Sequence, residues 1–347
     1  MKYRFAVLFI LFSGMVFSQE KMVFTKVDSM AKMVKYRSDI KQLSYELTKN
    51  YTSQTDKARA IFIWITDNIA YDYHGYNNRK PAKSFKCKDA DDCKARLAKQ
   101  QQEYINKVIR KKKGICEGYA RLFQMMCGYS GIECSVVSGY TKDHPSQIGR
   151  MGPLDHAWNY MIADGKPYWL DVTWAAGGCT RNDKTGKLKK FVKRFNDYYW
   201  LTPVERFSRN HFPKDTTLLA STSITKKQYK DAPYIPGNKL EYIEVIKPDS
   251  GILAVRLGDT IRFSIRNSAV NRTKKIQINT NVRHKPLSRK EAGDEYDEIG
   301  KKQLTIPFER QEDTYYFTYA ADDVKARHLD ILFNGGVVAR FKIRVSE

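Results

Sequence analysis

Three residues of the types that carry out nucleophilic catalysis occur near the middle of the chain: Cys116, His156 and Asp171. Cys116 follows Gly114-Ile115 at the predicted start of a helix, where unpaired backbone N–H groups and the helix macrodipole favour negative charge. A thiol in that position ionises more readily to the thiolate, which is the nucleophilic form. A buried structural cysteine is the alternative, so the assignment depends on the residues that accompany Cys116.

His156 and Asp171 belong to a predicted β-hairpin whose turn is Asp164-Gly165. Centring the turn there gives three cross-strand pairs: Ile162 with Pro167, Tyr160 with Trp169, and Trp158 with Asp171. Because alternate residues share one face of a strand, Asp171 becomes the diagonal neighbour of His156 on the face that Trp158 also occupies. A carboxylate beside an imidazole fixes its tautomer and stabilises its protonated form, the role of the third member of a catalytic triad.

The elements that must hold these residues predict an α+β domain over residues 19–220. A core helix begins with a capping sequence at Ser53 and is expected to end within residues 71–74. The polar residues 75–106 are interpreted as an insertion or a long loop, with a helix over residues 93–109. A helix over residues 115–128 then carries Cys116, and strands are predicted over residues 134–140, 156–162 and 168–173.

The character of the sequence changes after residue 220. Residues 221–239 contain Pro233, Pro236 and Gly237 and are interpreted as a linker. Runs rich in Val, Ile, Phe and Tyr then predict strands over residues 242–246, 260–265, 275–281, 314–319, 328–333 and 337–345. Asn334-Gly335 predicts a hairpin between the last two. These features predict an all-β, immunoglobulin-like sandwich over residues 240–347.

The N-terminal residues 1–18 have the pattern of a secretory signal peptide. Lys2 and Arg4 precede an apolar run over residues 5–12, and a small residue, Ser18, marks the expected cleavage point. The run is shorter than the ~20 residues that a membrane-spanning helix needs. We therefore expect an exported protein, periplasmic or secreted, without a transmembrane segment in its mature chain.

Charge and cysteine content limit the class of partner. The formal net charge is +23, and removing residues 1–18 with Lys2 and Arg4 leaves about +21. The basic residues are dispersed and no nucleic-acid-binding motif accompanies them, so a protein or peptide substrate is expected in place of nucleic acid. The charge is interpreted either as a solvated basic face or as a surface that attracts acidic substrates, a membrane surface or anionic cell-envelope polymers. Of the six cysteines, Cys87 and Cys93 flank a short polar loop and form the most plausible local disulfide. None forms a CxxC pair, so zinc is not expected.

The blocks of sequence around the three residues resemble the signature of the transglutaminase-like superfamily. They are Lys113-Gly-Ile-Cys-Glu-Gly-Tyr-Ala120, Asp155-His-Ala-Trp-Asn159 and Tyr168-Trp-Leu-Asp-Val-Thr-Trp174. Residues 60–71 are similar to the lead-in helix of that family. Residues 198–207 with His211-Phe-Pro are similar to its kyphoscoliosis-peptidase and cytokinesis-protein branch. The resemblance covers about residues 40–220, and the signal sequence would make the chain an exported, bacterial-type member.

The resemblance implies a papain-like fold in which Cys116 is the nucleophile, His156 the base and Asp171 the group that orients it. The implied chemistry is acyl transfer from an amide through a thioester, which requires no metal or organic cofactor, and no calcium-binding loop is recognisable. Four aromatic residues near the triad in sequence are expected either to line the substrate groove or to pack in the core: Tyr71, Tyr73, Trp158 and Trp174.

Three functions are compatible with these residues. The leading hypothesis is an exported cysteine peptidase or amidase acting on peptide or isopeptide bonds. A protein-glutamine transglutaminase or deamidase would use the same triad, because the outcome depends on which nucleophile reaches the thioester. A non-catalytic binding module is the third, although all three residues are present. A papain-type protease is disfavoured, since its Cys-Gly-Ser-Cys-Trp motif is absent and its histidine lies much further downstream of the cysteine.

Overall fold

The computed structural model describes residues 24–79, 86–182, 184–282 and 303–347. The predicted signal peptide lies outside these residues. Among them are nine α-helices: α1 (Thr25–Met33), α2 (Ile40–Thr48), α3 (Gln54–Asn68), α4 (Tyr73–Asn77), α5 (Ala90–Lys111), α6 (Cys116–Tyr129), α7 (Val172–Ala176), α8 (Val204–Phe207) and α9 (Lys226–Asp231). Within this part of the chain, no helix combines the length and the apolar character needed to cross a membrane.

Up to residue 220, the described part of the chain forms eight strands: β1 (Ala70–Tyr71), β2 (Lys113–Gly114), β3 (Glu133–Thr141), β4 (Leu154–Ala163), β5 (Lys166–Leu170), β6 (Gly177–Arg181), β7 (Leu188–Lys193) and β8 (His211–Pro213). The central antiparallel sheet has the order β5-β4-β3-β8. Helices α3 and α6 pack beside it, with Phe62 and Phe123 edge-to-face at 6.3 Å between ring centroids. Mixed helices and antiparallel strands confirm the predicted α+β class.

Helix α3 confirms the predicted capping start but ends earlier than expected. The Ser53 hydroxyl accepts a hydrogen bond from the Asp56 amide, and the Asp164 carboxylate accepts from the Gln54 and Thr55 amides, both at 2.9 Å. The hairpin turn therefore also closes the first turn of the helix. The helix stops at Asn68 rather than within residues 71–74, because Ala70 and Tyr71 pair in parallel with Lys113 and Gly114.

Most of the described residues between α3 and α6 are helical, although the polarity of this segment suggested little regular structure. Helix α5 begins at Ala90, earlier than the expected residue 93, because Asp89 caps it by accepting from the Asp92 amide at 2.8 Å. Cys87 and Cys93 form a disulfide, as predicted. The helix ends at Lys111, and its C-cap residue Lys112 adopts a left-handed conformation with φ of 49°, from which the chain turns into β2.

The hairpin register confirms two of the three predicted pairs. Ile162 lies opposite Pro167 and Tyr160 opposite Trp169. The third pair, Trp158 with Asp171, was wrong, as was the extension of that strand to residue 173. Strand β5 ends at Leu170, because Asp171 becomes the N-cap of helix α7 and accepts hydrogen bonds from two of its amides.

The C-terminal region is strand-rich, as predicted, and forms two facing sheets. Its strands are β9 (Ile243–Lys247), β10 (Ile252–Arg256), β11 (Thr260–Asn267), β12 (Ile276–Thr280), β13 (Gln303–Ile306), β14 (Phe308–Gln311), β15 (Thr314–Ala320), β16 (His328–Phe333) and β17 (Gly336–Ser346). One sheet has the order β10-β17-β16-β12-β13 and the other β14-β15-β11-β9. Phe263 and Phe341 meet between them at 5.3 Å. The immunoglobulin-like assignment stays a prediction.

The segment interpreted as a linker packs against the first region. It contains helix α9, whose Tyr229 is 3% exposed. The buried Lys142 ammonium donates to the backbone carbonyls of Tyr229 at 2.6 Å and Ala232 at 2.7 Å. We keep the boundaries at residues 220 and 240 as a proposal, with residues 221–239 as a fixed connector between the two regions.

Candidate active site

Cys116 is the first residue of helix α6 and is 5% exposed. The parallel pairing of β1 with β2 holds the two residues that precede Ile115, and Ile115 itself provides no side-chain cap to the helix. The backbone amides in the first turn of α6, which lie beside the thiol, therefore donate to no capping side chain. The Cys116 Sγ lies 3.6 Å from the backbone oxygen of Asp155, the residue before His156. The nucleophile candidate and the base candidate are thus brought together.

Strand β4 presents His156 opposite Gly139 of β3. A Cβ atom at Gly139 would lie 2.2 Å from the ring of Trp158 and 2.4 Å from the backbone oxygen of Phe212, so only glycine fits there. A second contact fixes β4 against the nucleophile helix: the Asn159 side-chain amide donates to the Ala120 carbonyl at 3.0 Å. These two contacts set the position of His156 relative to Cys116.

Asp171 is fully buried and uses its two oxygens differently. Oδ1 accepts from the backbone amides of Thr173 at 2.8 Å and Trp174 at 3.0 Å, which closes the first turn of α7. Oδ2 lies 2.7 Å from His156 Nε2. Because Nε2 is engaged by the carboxylate, Nδ1 is the nitrogen left for proton exchange with the thiol. The predicted contact between His156 and Asp171 exists, although a helix cap rather than a strand position creates it.

The charges of this pair support each other. Burial disfavours the imidazolium of His156, but the neighbouring Asp171 carboxylate and the Cys116 sulfur outweigh it and raise the pKa of His156 to about 10. Burial likewise opposes the ionised form of Asp171, yet the contacts with His156 and His211 hold its pKa well below the ordinary value. The arrangement therefore favours an imidazolium beside an ionised carboxylate at neutral pH.

His211, on strand β8, is a site residue that the triad prediction missed. Its Nε2 lies 3.1 Å from Asp171 Oδ2, and the residue is fully buried. Strand β8 reaches the site by pairing with the end of β3, where Thr141 lies opposite His211. The only signal for His211 in the sequence was the motif His211-Phe-Pro, which resembles the kyphoscoliosis-peptidase and cytokinesis-protein branch. That motif does not indicate which side chain His211 contacts.

His156, Asp171 and His211 are also a group that could in principle ligate a metal, since their ligand atoms lie within 4.8 Å of one another. Ligands of a tetrahedral zinc lie about 2.0–2.1 Å from the ion and hence roughly 3.3 Å apart. The two imidazole-to-carboxylate distances, 2.7 and 3.1 Å, are shorter and are those of hydrogen bonds. The chemistry of the group is therefore proton positioning.

A cavity of about 930 Å³ opens beside His156. Of the four predicted groove residues, Tyr71 and Trp174 line it. Trp158 is 0% exposed and packs 6.0 Å from the His156 ring, so it supports the histidine from the core. Tyr73 stacks on His74 at 4.2 Å, outside the residues that line this cavity.

Comparison with known proteins points to one superfamily. Residues 41–174 match the family model for the transglutaminase-like superfamily. The chain is 33% identical over 193 residues to a Mus musculus protein named kyphoscoliosis peptidase, covering 55% of this chain and 26% of that protein. The corresponding Homo sapiens protein is 31% identical over 192 residues, with 55% and 25% covered. Hillarin of Drosophila melanogaster is 23% identical over 199 residues, with 55% and 22% covered.

The chain spans only about a quarter of the length of these relatives. The matched segment nevertheless contains all of Cys116, His156 and Asp171, and it ends at Trp174, the last residue of the third sequence block. The chain therefore carries a domain of the transglutaminase-like superfamily, over residues 41–174.

Proposed function

We propose that this protein is a thiol hydrolase that cleaves peptide or isopeptide bonds through a thioester on Cys116. The observation that carries the proposal is the hydrogen bond between His156 and the buried Asp171, with Cys116 beside them at a helix N-terminus. Each residue lies in an environment that suits its role. Cys116 lies at a helix N-terminus with free backbone amides, His156 is oriented by a hydrogen bond, and the carboxylate of Asp171 is buried away from water.

The reaction follows from these positions. The Cys116 thiolate adds to the substrate carbonyl carbon, and the resulting oxyanion is held by the backbone N–H of Cys116 at the helix end. His156 gives its Nδ1 proton to the leaving nitrogen, the C–N bond breaks, and an amine departs. A water molecule then adds to the thioester while His156 takes its proton. Collapse of the second intermediate releases the carboxylic acid and restores the thiolate.

Hydrolysis rather than amine transfer is the expected outcome, because the cavity wall is basic. Crosslinking needs a lysine-like amine to enter, and the guanidinium groups of Arg150 and Arg194 line this cavity. Two further basic residues on the wall contribute less charge, because burial lowers the pKa of Lys142 to about 7 and Arg181 pairs with Asp143. Like charges raise the cost of bringing in a cationic acceptor. We expect the purified protein to release new N-termini from a susceptible protein substrate. It should not incorporate a dansylated amine into casein above the level of a Cys116→Ala control.

Two results would reverse this assignment. Efficient incorporation of the amine that depends on Cys116 would establish a transglutaminase in place of a peptidase. Neither activity across a broad panel of protein substrates, together with an unreactive Cys116, would favour a binding module.

The same wall supports an acidic segment as the preferred substrate. The two carboxylates that line the cavity already have partners. Asp143 pairs with Arg181 at 2.7 Å, and Asp155 accepts a hydrogen bond from the Tyr76 hydroxyl at 2.9 Å. Arg150 and Arg194, by contrast, have no acidic partner among the residues that the structure describes. The cavity thus offers unpaired cations to a substrate and no unpaired carboxylate, which favours glutamate or aspartate near the scissile bond.

Replacing Arg150 or Arg194 by glutamine should lower kcat/KM for an acidic peptide by about 2- to 5-fold each, the range of exposed ion pairs. A neutral peptide of the same length should be cleaved at an unchanged rate. The preference of the unmodified protein for the acidic over the neutral peptide should shrink in 1 M salt, where the Debye screening length is only ~3 Å. Arg262→Gln, an exposed arginine on strand β11, is the matched control. An equal loss on both peptides would show that the arginines do not select charge.

We further propose that the protein acts outside the cytoplasm. The signal-like pattern of residues 1–18 motivates this, and the Cys87–Cys93 disulfide supports it, because such bonds persist mainly in oxidising compartments. Recovery of the chain from a cell-envelope or extracellular fraction with residue 19 as its N-terminus would test both points. Recovery with residue 1 retained in the cytoplasm would contradict them.

A further inference from the structure

We propose that His211 is a positioning residue for Asp171: a neutral imidazole that donates its Nε2 proton to Oδ2 and so holds the carboxylate toward His156. This inference rests on the proposed function, since it assigns His211 a part in the same triad. None of the sequence blocks that define the triad contains His211, which lies 40 residues after Asp171.

The contacts of Asp171 leave one place for such a residue. Oδ1 is committed to the two amides of helix α7, so only Oδ2 can face the catalytic histidine. Two imidazole nitrogens meet that oxygen, His156 Nε2 at 2.7 Å and His211 Nε2 at 3.1 Å. A second donor on Oδ2 restricts rotation of the carboxylate about its Cβ–Cγ bond and satisfies a lone pair that has no access to water.

The ring of His211 is itself held in place. It stacks on Phe207 at 4.2 Å and contacts Trp174 at 4.6 Å and Trp158 at 4.9 Å. The same two tryptophans contact the ring of His156, at 5.0 and 6.0 Å. The two histidines and the carboxylate that they share therefore lie in one aromatic enclosure. His211 contacts Asp171 directly there, so a substitution at position 211 changes the surroundings of the carboxylate itself.

The proton count at His211 identifies its tautomer. Nδ1 lies 2.7 Å from the side-chain oxygen of Asn210, so both ring nitrogens face oxygen atoms. Burial lowers the pKa of His211 to about 4, so the ring carries one proton at neutral pH. The carboxylate is the stronger acceptor and takes that proton from Nε2. A half-turn of the Asn210 amide then lets its nitrogen donate to Nδ1 and its oxygen accept from the Tyr199 hydroxyl, 3.1 Å away on the other side.

Neutrality is what makes a histidine suitable here. A permanent cation at position 211 would pair with Asp171 and weaken the interaction of the carboxylate with the His156 imidazolium. A neutral donor orients the carboxylate and leaves its negative charge to His156. The titratable or charged groups that face the His211 ring are Asp171, His156 and Tyr199. The Tyr199 ring lies edge-on to the His211 ring, with 5.9 Å between centroids, and its hydroxyl meets the side chain of Asn210.

Two variants separate this role from simple packing. His211→Phe keeps a ring against Phe207 but removes the donor, and we expect kcat to fall about 10- to 100-fold with KM changed little, the usual effect of losing an outer hydrogen bond to a catalytic group. His211→Gln keeps an N–H donor that cannot be protonated, and it should recover most of that loss. Rates are normalised to Cys116 titrated with iodoacetamide, and His328→Phe on strand β16 is the matched control.

The position of the proton is measured directly, without any substrate, on the unmodified chain labelled with ¹⁵N-histidine. His211 should show the neutral Nε2–H tautomer, unchanged between pH 5.5 and 8. A Nδ1–H tautomer or an imidazolium in that range would overturn the proposal, as would equal kcat losses in the Phe and Gln variants or full activity of His211→Phe. If the protein cleaves no amide at all, the proposed function fails, while the spectrum still decides the role of His211.

Discussion

Cys116→Ala should abolish amide hydrolysis, with a loss of roughly 10⁶-fold, the scale seen when the nucleophile of a catalytic triad is removed. The loss is this large because no other described thiol can replace Cys116 at the helix end beside His156. Initial rates on a fluorogenic peptide, measured with the purified variant, would show it. Cys134→Ala, on strand β3 and away from the cavity lining, is the control and should remain active.

Thiol labelling tests the same residue independently of substrate. Among the described free cysteines, Cys179 lines the same cavity, but burial raises its pKa to about 11, so it stays protonated and slow at neutral pH. Burial also raises the pKa of Cys127. A short pulse of iodoacetamide at pH 7 followed by peptide mass spectrometry should therefore find Cys116 modified before Cys127 and Cys179. Equal modification of Cys116 and Cys179 would contradict an activated nucleophile.

The parts of the site that could be predicted are those encoded by local sequence. The turn at Asp164-Gly165 sets the register of the hairpin by itself, which is why Tyr160 and Trp169 were paired correctly. The glycine before Cys116 and the apolar spacing after it similarly mark a helix start to within a residue. The hairpin turn alone was enough to predict that Asp171 lies near His156, although the strand position assigned to Asp171 was wrong.

The contacts that were missed depend on residues far apart in the chain. Strand β8 carries His211 to β3 across about 70 residues, and β10 pairs in parallel with β17 across about 90. Short strands such as β10, β13 and β14 have too little sequence to reveal their partners. The alternation rule also says which face a residue occupies, but not what covers that face. Trp158 was therefore correctly placed beside His156, while its complete burial could not be foreseen.

Asp171 shows how a correct contact can arise from a wrong local structure. Strand phasing predicted that Asp171 faces His156, yet the residue lies past the end of β5 and caps α7. An aspartate is among the preferred N-cap residues, so the turn into a helix at this point had its own local signal. The β-branched residues Val172 and Thr173 that follow it favour a strand and oppose that signal.

The capping role makes Asp171→Asn an informative substitution. Asparagine caps helices as well as aspartate does, so the hydrogen bonds that the Thr173 and Trp174 amides donate to Oδ1 should survive and the fold should hold. Only the group at Oδ2 changes, from a carboxylate oxygen to an amide nitrogen. That nitrogen is a donor, so His156 Nε2 must lose its proton to meet it, and the ring is left in the tautomer with the proton on Nδ1.

We expect turnover of Asp171→Asn to fall by about 10⁴-fold, the effect of the same change in serine proteases. The pH profile should change as well. The Asp171 charge raises the pKa of His156 to about 10 against the effect of burial, so its removal lowers that pKa. The imidazolium needed to protonate the leaving amine is then lost at lower pH, and the alkaline limb of kcat/KM should move toward acid.

Stability provides the complementary measurement. Because contacts in the folded protein lower the pKa of Asp171, its ionised form contributes stability above the unfolded value of about 3.9, and this contribution is lost as the pH falls below it. Asp164→Asn is the matched control, since Asp164 also caps a helix with a pKa lowered to about 2 by hydrogen bonds from Thr55 and Gln54. Both variants should lose stability at neutral pH, and only Asp171→Asn should lose turnover. If Asp171→Asn keeps activity within a few-fold, Asp171 is a helix cap alone and another group orients His156.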